Sequence, residues 1–440
     1  MLVSAHKLIL ILLIFIGWDT VQAQEAWTLK QCIDTAQVYN KTLQISRNNI
    51  SISEQREKEA KASLIPKITA NADYKYFMEL PTQLMPLNAL NPQAPEGQFR
   101  DLQFGVPHNI NANLQLAMLL YNPQVYGAIT NTKIANELTQ LQFQKSEEQV
   151  LYDITMLYYN AQILKHQLEF IDSNLINTHK LLKNMKLLKE QLLAKGTDVS
   201  KVRLQAEQLS TQRENVHNTY ISVLNALKLN MGVDLEKELT VESSISYQTA
   251  LEYVPEATLD LQIIQTQNKL LNTELSTLKK SRFLPSLSLV ASYGTAGFGY
   301  DKTPNDFLDF YPLGFAGLQL TYPLFNGTVT QRKIKQKKLE ISNSELQVQL
   351  INDKNKMGIE DSSRQRIIAQ QTVVNTENQI FLAQSIYEQS ILQQKHGTAT
   401  LTDVLLADNA LREAQQNYLS AIIDYLKADL ELKKLTGKIK

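Results

Sequence analysis

The side chains that most often carry chemistry are sparse and poorly placed for it in this sequence. His108, His166, His179, His217 and His396 are scattered, with no pair at the spacing that brings two ring nitrogens to one metal ion. The single cysteine, Cys32, has no intrachain partner and lies in Leu29-Lys-Gln-Cys-Ile-Asp-Thr-Ala36, where it reads as a small buried helix residue. Gly297-Phe-Gly299 is the closest glycine pair, but no strand-to-helix switch follows it, so it is no phosphate cradle. No Ser-His-Asp framework or paired-carboxylate site stands out. The expectation is a protein that is not an enzyme, with no catalytic residues, no metal site and no cofactor. The chemistry left to it is recognition, by turns and by the faces of strands and helices.

Composition and charge narrow the class. Lys plus Arg and Asp plus Glu stand at 44 each, so there is no basic field for nucleic acid. Glycine and proline are scarce at 15 and 12 in 440 residues, which suits long helices better than ordinary globular domains. His6 and Lys7 precede the apolar run Leu8–Ile16, and Val21-Gln22-Ala23 offers a small residue for cleavage, so residues 1–23 read as a signal peptide. Beyond Ala23 no apolar stretch approaches the roughly 20 residues of a membrane-spanning helix. A mature chain that enters a membrane must therefore do so as strands of a closed barrel.

The elements follow from an internal repeat. Leu64–Tyr74 recurs as Leu284–Tyr293, Leu114–Asn122 as Leu318–Asn326, Lys195–Val199 as Lys395–Ala399, and Leu229–Gly232 as Lys434–Gly437. Matches in one order indicate a duplicated unit of about 200 residues, longer than solenoid repeats. The expected organisation is a first repeat over 24–232, an equatorial connector over 233–255 and a second repeat over 256–437. Each repeat opens with a helix, and alternating residues then predict strands near 65–76 and 108–120 in the first and 284–294 and 314–324 in the second. One face gathers Ile68, Tyr74, Ile110, Leu114, Leu116, Leu287, Leu289, Tyr293, Leu318 and Leu320; the other gathers Thr69, Asn71, Asp73, Asn111, Asn113, Gln115, Ser288 and Gln319. This fits strands with a lipid-facing side and a wet, lumen-facing side, and a soluble sandwich is the alternative. The segments 80–107 and 294–312 read as external loops.

Between strands and turns the apolar residues step by three and four. Val150, Ile154, Leu157, Ala161, Leu164, Leu168, Ile171 and Leu175 form one such series, Val202, Ala206, Leu209, Val216, Tyr220, Val223 and Leu227 a second, and Val404 to Leu432 a third. Steps of 3.5 predict coiled-coil packing. Each repeat thus holds a helix of some 65 residues, roughly 100 Å long at 1.5 Å per residue, a tip turn near Gly196 or Gly397 and a shorter return helix. Gly196 and Gly397 suit left-handed turn positions, and Thr197/Asp198 and Thr402/Asp403 suit helix caps. Four strands cannot close a barrel, so the barrel must be shared between copies, and three copies supply twelve strands. Arg332, Lys333, Lys335, Lys337 and Lys338 crowd a helix start against its dipole, as a solvated basic face or as partners of lipid phosphates.

These residues resemble the TolC-like outer-membrane efflux protein family over nearly the whole mature chain. Trp27–Ala36 is similar to the family's opening helix, and Tyr322-Pro-Leu-Phe-Asn-Gly327 with Gln331–Lys335 to its strand-to-helix junction. His396–Leu411 resembles its periplasmic hairpin tip, and Lys195–Val202 is a shorter version. The resemblance implies a mainly α fold with a shared transmembrane β-barrel: a homotrimer with a twelve-stranded barrel and an α-helical tunnel, in the outer membrane with a periplasmic extension. It implies a passive conduit for small molecules, working with a periplasmic adaptor and an inner-membrane pump of the RND or ABC type. Adaptor contact is expected at Gly196, Thr197, Asp198, Val199, Gly397, Thr398, Thr402, Asp403 and Val404. The alternatives are an exit duct for secreted polypeptides and a soluble periplasmic coiled-coil scaffold.

Overall fold

The computed structural model describes residues 26–90, 92–93, 95–245 and 253–439; the expected signal peptide 1–23 and residues 246–252 of the expected connector lie outside them. The chain divides into two compact units, one of Ile50–Gln140 and Ile264–Gln347, the other of Met1–Asn49, Leu141–Ile263 and Val348–Lys440.

The first unit holds the strands. β1 (Lys67–Tyr76), β4 (His108–Tyr121), β5 (Ser286–Tyr300) and β6 (Phe307–Thr321) form one antiparallel sheet in the order β1-β4-β5-β6. β2 (Thr82–Pro86) and β3 (Phe99–Gln103), with the one-turn helix α3 (Leu87–Leu90) after β2, make a separate two-stranded ribbon. The segment read as the loop 80–107 therefore contains a hairpin, hidden in the sequence by Pro81, Pro86 and Pro95. The second loop is corrected further. β5 continues to Tyr300 and β6 begins at Phe307, so most of 294–312 is strand, while Tyr322, Pro323 and Leu324 lie beyond the end of β6. Phe307-Leu-Asp-Phe-Tyr-Pro-Leu-Gly-Phe315 has apolar residues on both faces, which erases the period-two signal. Pro312 looked like a strand breaker, but β6 is an edge strand of this sheet, where a missing N–H need cost no ladder bond.

The helices are long because nothing in them interrupts the ladder. α4 (Pro123–Glu190) has 68 residues and α7 (Val329–Lys395) has 67; the return helices α5 (Gly196–Met231) and α8 (Leu401–Leu435) have 36 and 35. α1 (Leu29–Tyr39) and α2 (Lys41–Ala62) precede β1, and α6 (Leu259–Phe283) precedes β5. α1 starts on a capping box: Gln31 N–H donates to Thr28 Oγ1 at 3.1 Å and Thr28 N–H to Gln31 Oε1 at 2.9 Å.

In the second unit the heptad series meet. Val150, Ile154, Ala161, Ile171, Val202, Ala206, Leu209, Val216 and Leu227 are buried, as are Val404, Ala407, Leu411, Ala414, Ala421, Tyr425, Ala428 and Leu432. Arg213, the charged interruption, turns to Asp172, with Nε 2.6 Å from Oδ1. Cys32 sits fully buried among Ala36, Leu43, Ile154, Tyr158 and Val241, and desolvation pushes its thiol up to about 12. It is an inert packing residue rather than a nucleophile. The connector also enters this core: Trp27 and Val241 form a parallel bridge, and Lys165 Nζ donates to Val241 O at 2.7 Å. At the end of α5, Gly232 is left-handed, and a Cβ there would stand 2.1 Å from Tyr39 O, so only glycine fits.

Candidate functional site at the hairpin tips and sheet faces

Both tips reverse through the same hydrogen-bond pattern. After α7, Gly397 N–H donates to Gln394 O at 3.1 Å and Thr398 N–H to Gln393 O at 2.9 Å, with Gly397 at φ +76°. After α4, Leu192 N–H donates to Lys189 O at 3.0 Å and Leu193 N–H to Leu188 O at 2.8 Å, with Leu192 at φ +62°. Each is a Schellman end, which places one left-handed residue just past the helix. The reading of Gly196 as that residue is thus corrected. Leu192 takes the strained position, and Gly196 is the first residue of α5.

The correction also fixes the register of the repeat. Leu192 corresponds to Gly397, the N-cap Lys195 to the N-cap Thr400, Asp198 to Asp403, Val199 to Val404 and, at the far end, Gly232 to Gly437. The sequence match of Lys195–Val199 to Lys395–Ala399 was out of step because a shared Gly-Thr outweighed the shared Asp-Val. At the second tip the cap is Thr400, not Thr402. Thr400 N–H donates to Asp403 Oδ2 at 2.8 Å, and Asp403 N–H donates to Thr400 Oγ1 at 3.3 Å. The bond from the Thr400 hydroxyl, then that from its backbone N–H, hold the Asp403 carboxyl below its ordinary value. At the first tip Lys195 N–H donates to Asp198 Oδ2 at 3.3 Å, and its own side chain makes no cap bond.

Among the residues expected to meet a partner, Gly196, Thr197, Gly397, Thr398, Thr402 and Asp403 are exposed and Asp198 is half-buried. Val199 and Val404 are not available: both are buried, packed with Leu181, Met185, Val202 and Tyr387. They are inward heptad positions in the first turn of their return helices, which the turn-centred reading overlooked. Between the tips runs a groove of about 1090 Å³. Leu181, Met185 and Leu188 line it from the first repeat, and Tyr387, Ile391 and Gln394 from the second. Gln394 Nε2 reaches Met185 Sδ at 3.5 Å across it.

Under the groove lies a polar group that sequence reasoning missed. Asp408 on α8 is buried, accepts a short hydrogen bond from Gln205 Nε2 on α5, and has Arg412 Nε 3.0 Å from its Oδ2. Burial pushes its carboxyl up, opposed by Arg412 and Gln205. Tyr387 beside it is raised to about 12, by burial first and then by the Asp408 charge. The only prior signal was a carboxylate at a heptad-inward position, four residues before an arginine.

The sheet places the two strand-face series on opposite sides. Direct pairing of Ile68 with Leu116, Tyr74 with Ile110, Leu114 with Tyr293, Leu289 with Leu318 and Leu287 with Leu320 puts the apolar set on one face. Thr69 pairs with Gln115, Asn71 with Asn113, Asp73 with Asn111 and Ser288 with Gln319 on the other. Asn71 Nδ2 donates to Asn113 Oδ1, and Asn111 Nδ2 to Asp73 Oδ2, each at 3.3 Å, forming a polar ladder. Toward the β5–β6 turn this face turns aromatic, with Phe298 and Tyr311 in ring contact at 6.1 Å. Neither β1 nor β6 has a second strand partner among the described residues. Among those residues no group of three His, Cys, Asp or Glu side chains is placed to hold a metal ion, and no helix is long and apolar enough to cross a membrane.

Comparison with known proteins bears on this arrangement. Residues 275–438 match the family model described as outer membrane efflux protein. The outer membrane protein TolC of Vibrio cholerae is 20% identical over 429 residues, covering 92% of this chain and 90% of the relative. The outer membrane efflux protein BepC of Brucella suis is 21% identical over 439 residues, covering 96% and 87%. The crystal structure of the Campylobacter jejuni CmeC outer membrane channel superposes with a TM-score of 0.74 at 15% identity, over 93% of this chain and 85% of that one. Residues 275–438 are similar to the outer membrane efflux protein family, and solved outer membrane channels share the chain's mainly helical fold over nearly the whole length.

Proposed function

We propose that the protein is a passive outer-membrane channel through which an inner-membrane pump exports small molecules. The observation that carries this reading is the four-stranded sheet, with one apolar face, one polar face and two open edges. Its strands have 10, 14, 15 and 15 residues, and about 9–11 suffice to cross a bilayer at a tilt. Each unpaired backbone group at an edge in lipid costs several kcal/mol, so β6 of one copy pairs with β1 of the next. Three copies close a barrel of twelve strands, with Ile68, Tyr74, Ile110, Leu114, Leu116, Leu287, Leu289, Tyr293, Leu318 and Leu320 toward lipid. Thr69, Asn71, Asp73, Asn111, Asn113, Gln115, Ser288 and Gln319 line the water. The helices form a periplasmic tunnel.

The groove between the tips supports the second part of the reading. Apolar side chains lie on its floor, and exposed Gly397, Thr398, Thr402 and Asp403 lie beside it, a surface suited to a helical hairpin of a periplasmic adaptor. The adaptor joins the channel to a pump of the RND or ABC type, and the energy for export comes from that pump. The chain itself performs no reaction. Membrane fractionation and planar-bilayer recording test the proposal. The expected result is recovery with the outer membrane and discrete conductance steps; a purely soluble protein without steps overturns it.

A further inference from the structure

We propose that the junction of α6, β5, β6 and α7 is a binding site for the headgroups of anionic glycerophospholipids in the periplasmic leaflet of the membrane. The inference rests on the barrel reading above and adds a ligand to it. Leu275–Tyr300 and Phe310–Leu339 together contain eight Lys or Arg and no Asp or Glu. Pairing of Ser286 with Thr321 brings the two segments to one end of the sheet, so the last turn of α6 and the first turns of α7 lie together. Lys337 is satisfied within the chain, 2.7 Å from Glu274 and 2.5 Å from Glu340. Arg332, Lys333, Lys335 and Lys338 are exposed, and none has a carboxylate within 4.0 Å among the described residues; the same holds for Lys279 and Lys280.

Positive charge at the start of α7 opposes the helix dipole, so the cluster weakens the helix it stands on unless an anion answers it. The second observation is what surrounds it. Leu324 is 89% and Phe325 83% exposed in the turn before α7, and Phe283 is exposed at the end of α6 with Arg282 over its ring at 5.1 Å. Exposed aromatic and aliphatic side chains beside uncompensated bases are the signature of a membrane interface, where rings lie at headgroup depth and bases reach phosphates. A neighbouring copy answers the charge less well. The closing pair of β6 with β1 brings α2 of that copy alongside, and α2 sets Glu54, Glu57 and Glu59 against Arg56, Lys58 and Lys61, with no net charge between them.

The test uses the full chain reconstituted in mixed phosphatidylcholine and phosphatidylglycerol vesicles, re-extracted in mild detergent, with the retained lipids quantified. Phosphatidylglycerol is expected to be enriched at least about fivefold over the mixture, the effect of one base near a lipid surface. The variant R332Q/K333Q/K335Q/K338Q is expected to lose the enrichment while keeping its trimers and conductance steps. Equal lipid ratios in the wild type, or enrichment unchanged in the variant, overturn the proposal. Displacement of the lipid by inorganic phosphate overturns it in favour of a free-anion site, and dissociation of the variant's trimers with unchanged lipid ratios overturns it in favour of contact between copies. Absence of conductance steps in the wild type is a separate failure, that of the channel reading itself.

Discussion

Two residues decide how the tips are made. Gly397 takes φ +76° with nothing within 4 Å of where a Cβ would stand, so its substitution tests backbone strain alone. Gly397→Ala is expected to cost about 1 kcal/mol, read as faster hydrogen exchange of amides 393–404, and Leu192→Gly to slow exchange at the first tip. Leu192 is 92% exposed, so no packing is lost with its side chain. Asp408 belongs to the same scale. A carboxyl whose folded value is raised binds more protons folded than unfolded, so its contribution falls as pH rises from the unfolded value through the folded one. Asp403, held low, works in the opposite sense: its stability is present at neutral pH and is lost as acid takes the pH down through its folded value. Asp408→Asn is expected to remove the first trend from tip stability measured against pH. Asp408→Ala is expected to destabilise by about 3 kcal/mol, because Arg412 is left without its partner.

At the scale of elements, the helices were legible and the outer strands were not. A heptad survives one charged residue, as Arg213 shows by turning to Asp172, so periodicity located α4, α5 and α8, and the internal repeat then placed α7. Strand alternation needs one polar face. β1 and the first half of β4 have one, whereas β6 from Phe307 to Phe315 is apolar on both sides and looked like a proline-containing loop. Buried polar contacts add what periodicity does not encode, namely which helices lie together. Asn174 Nδ2 on α4 donates to Gln415 Oε1 on α8 at 2.9 Å, so a helix of one repeat is keyed to a helix of the other. The cap of α8 gives a test at this scale. Thr400→Ala removes the acceptor of Asp403 N–H and is expected to cost about 1 kcal/mol, measured as fraying of the first turn by hydrogen exchange.

For the whole molecule, the proposed channel reading makes oligomerisation a condition of membrane insertion, because the sheet of a single copy has two open edges among the described residues. The tips then test the division of labour between duct and partner. Deleting residues 395–404 is expected to abolish export, measured as restored sensitivity to exported drugs in cells, while trimers persist on gels. Unchanged drug resistance would refute docking at the tip.

By itself, the sequence determined the duplicated plan, the long helices, the two-faced inner strands and the resemblance to an efflux family. Each of these is a local or periodic property, written in residue order. Only the tertiary structure decided that Leu192 rather than Gly196 takes the left-handed turn, that Val199 and Val404 face inward, and that β5 and β6 extend across the expected loop. It also brought Asp408 to Gln205, and the end of α6 to the start of α7. These depend on which distant residues the packing sets side by side, and no spacing along one chain records that.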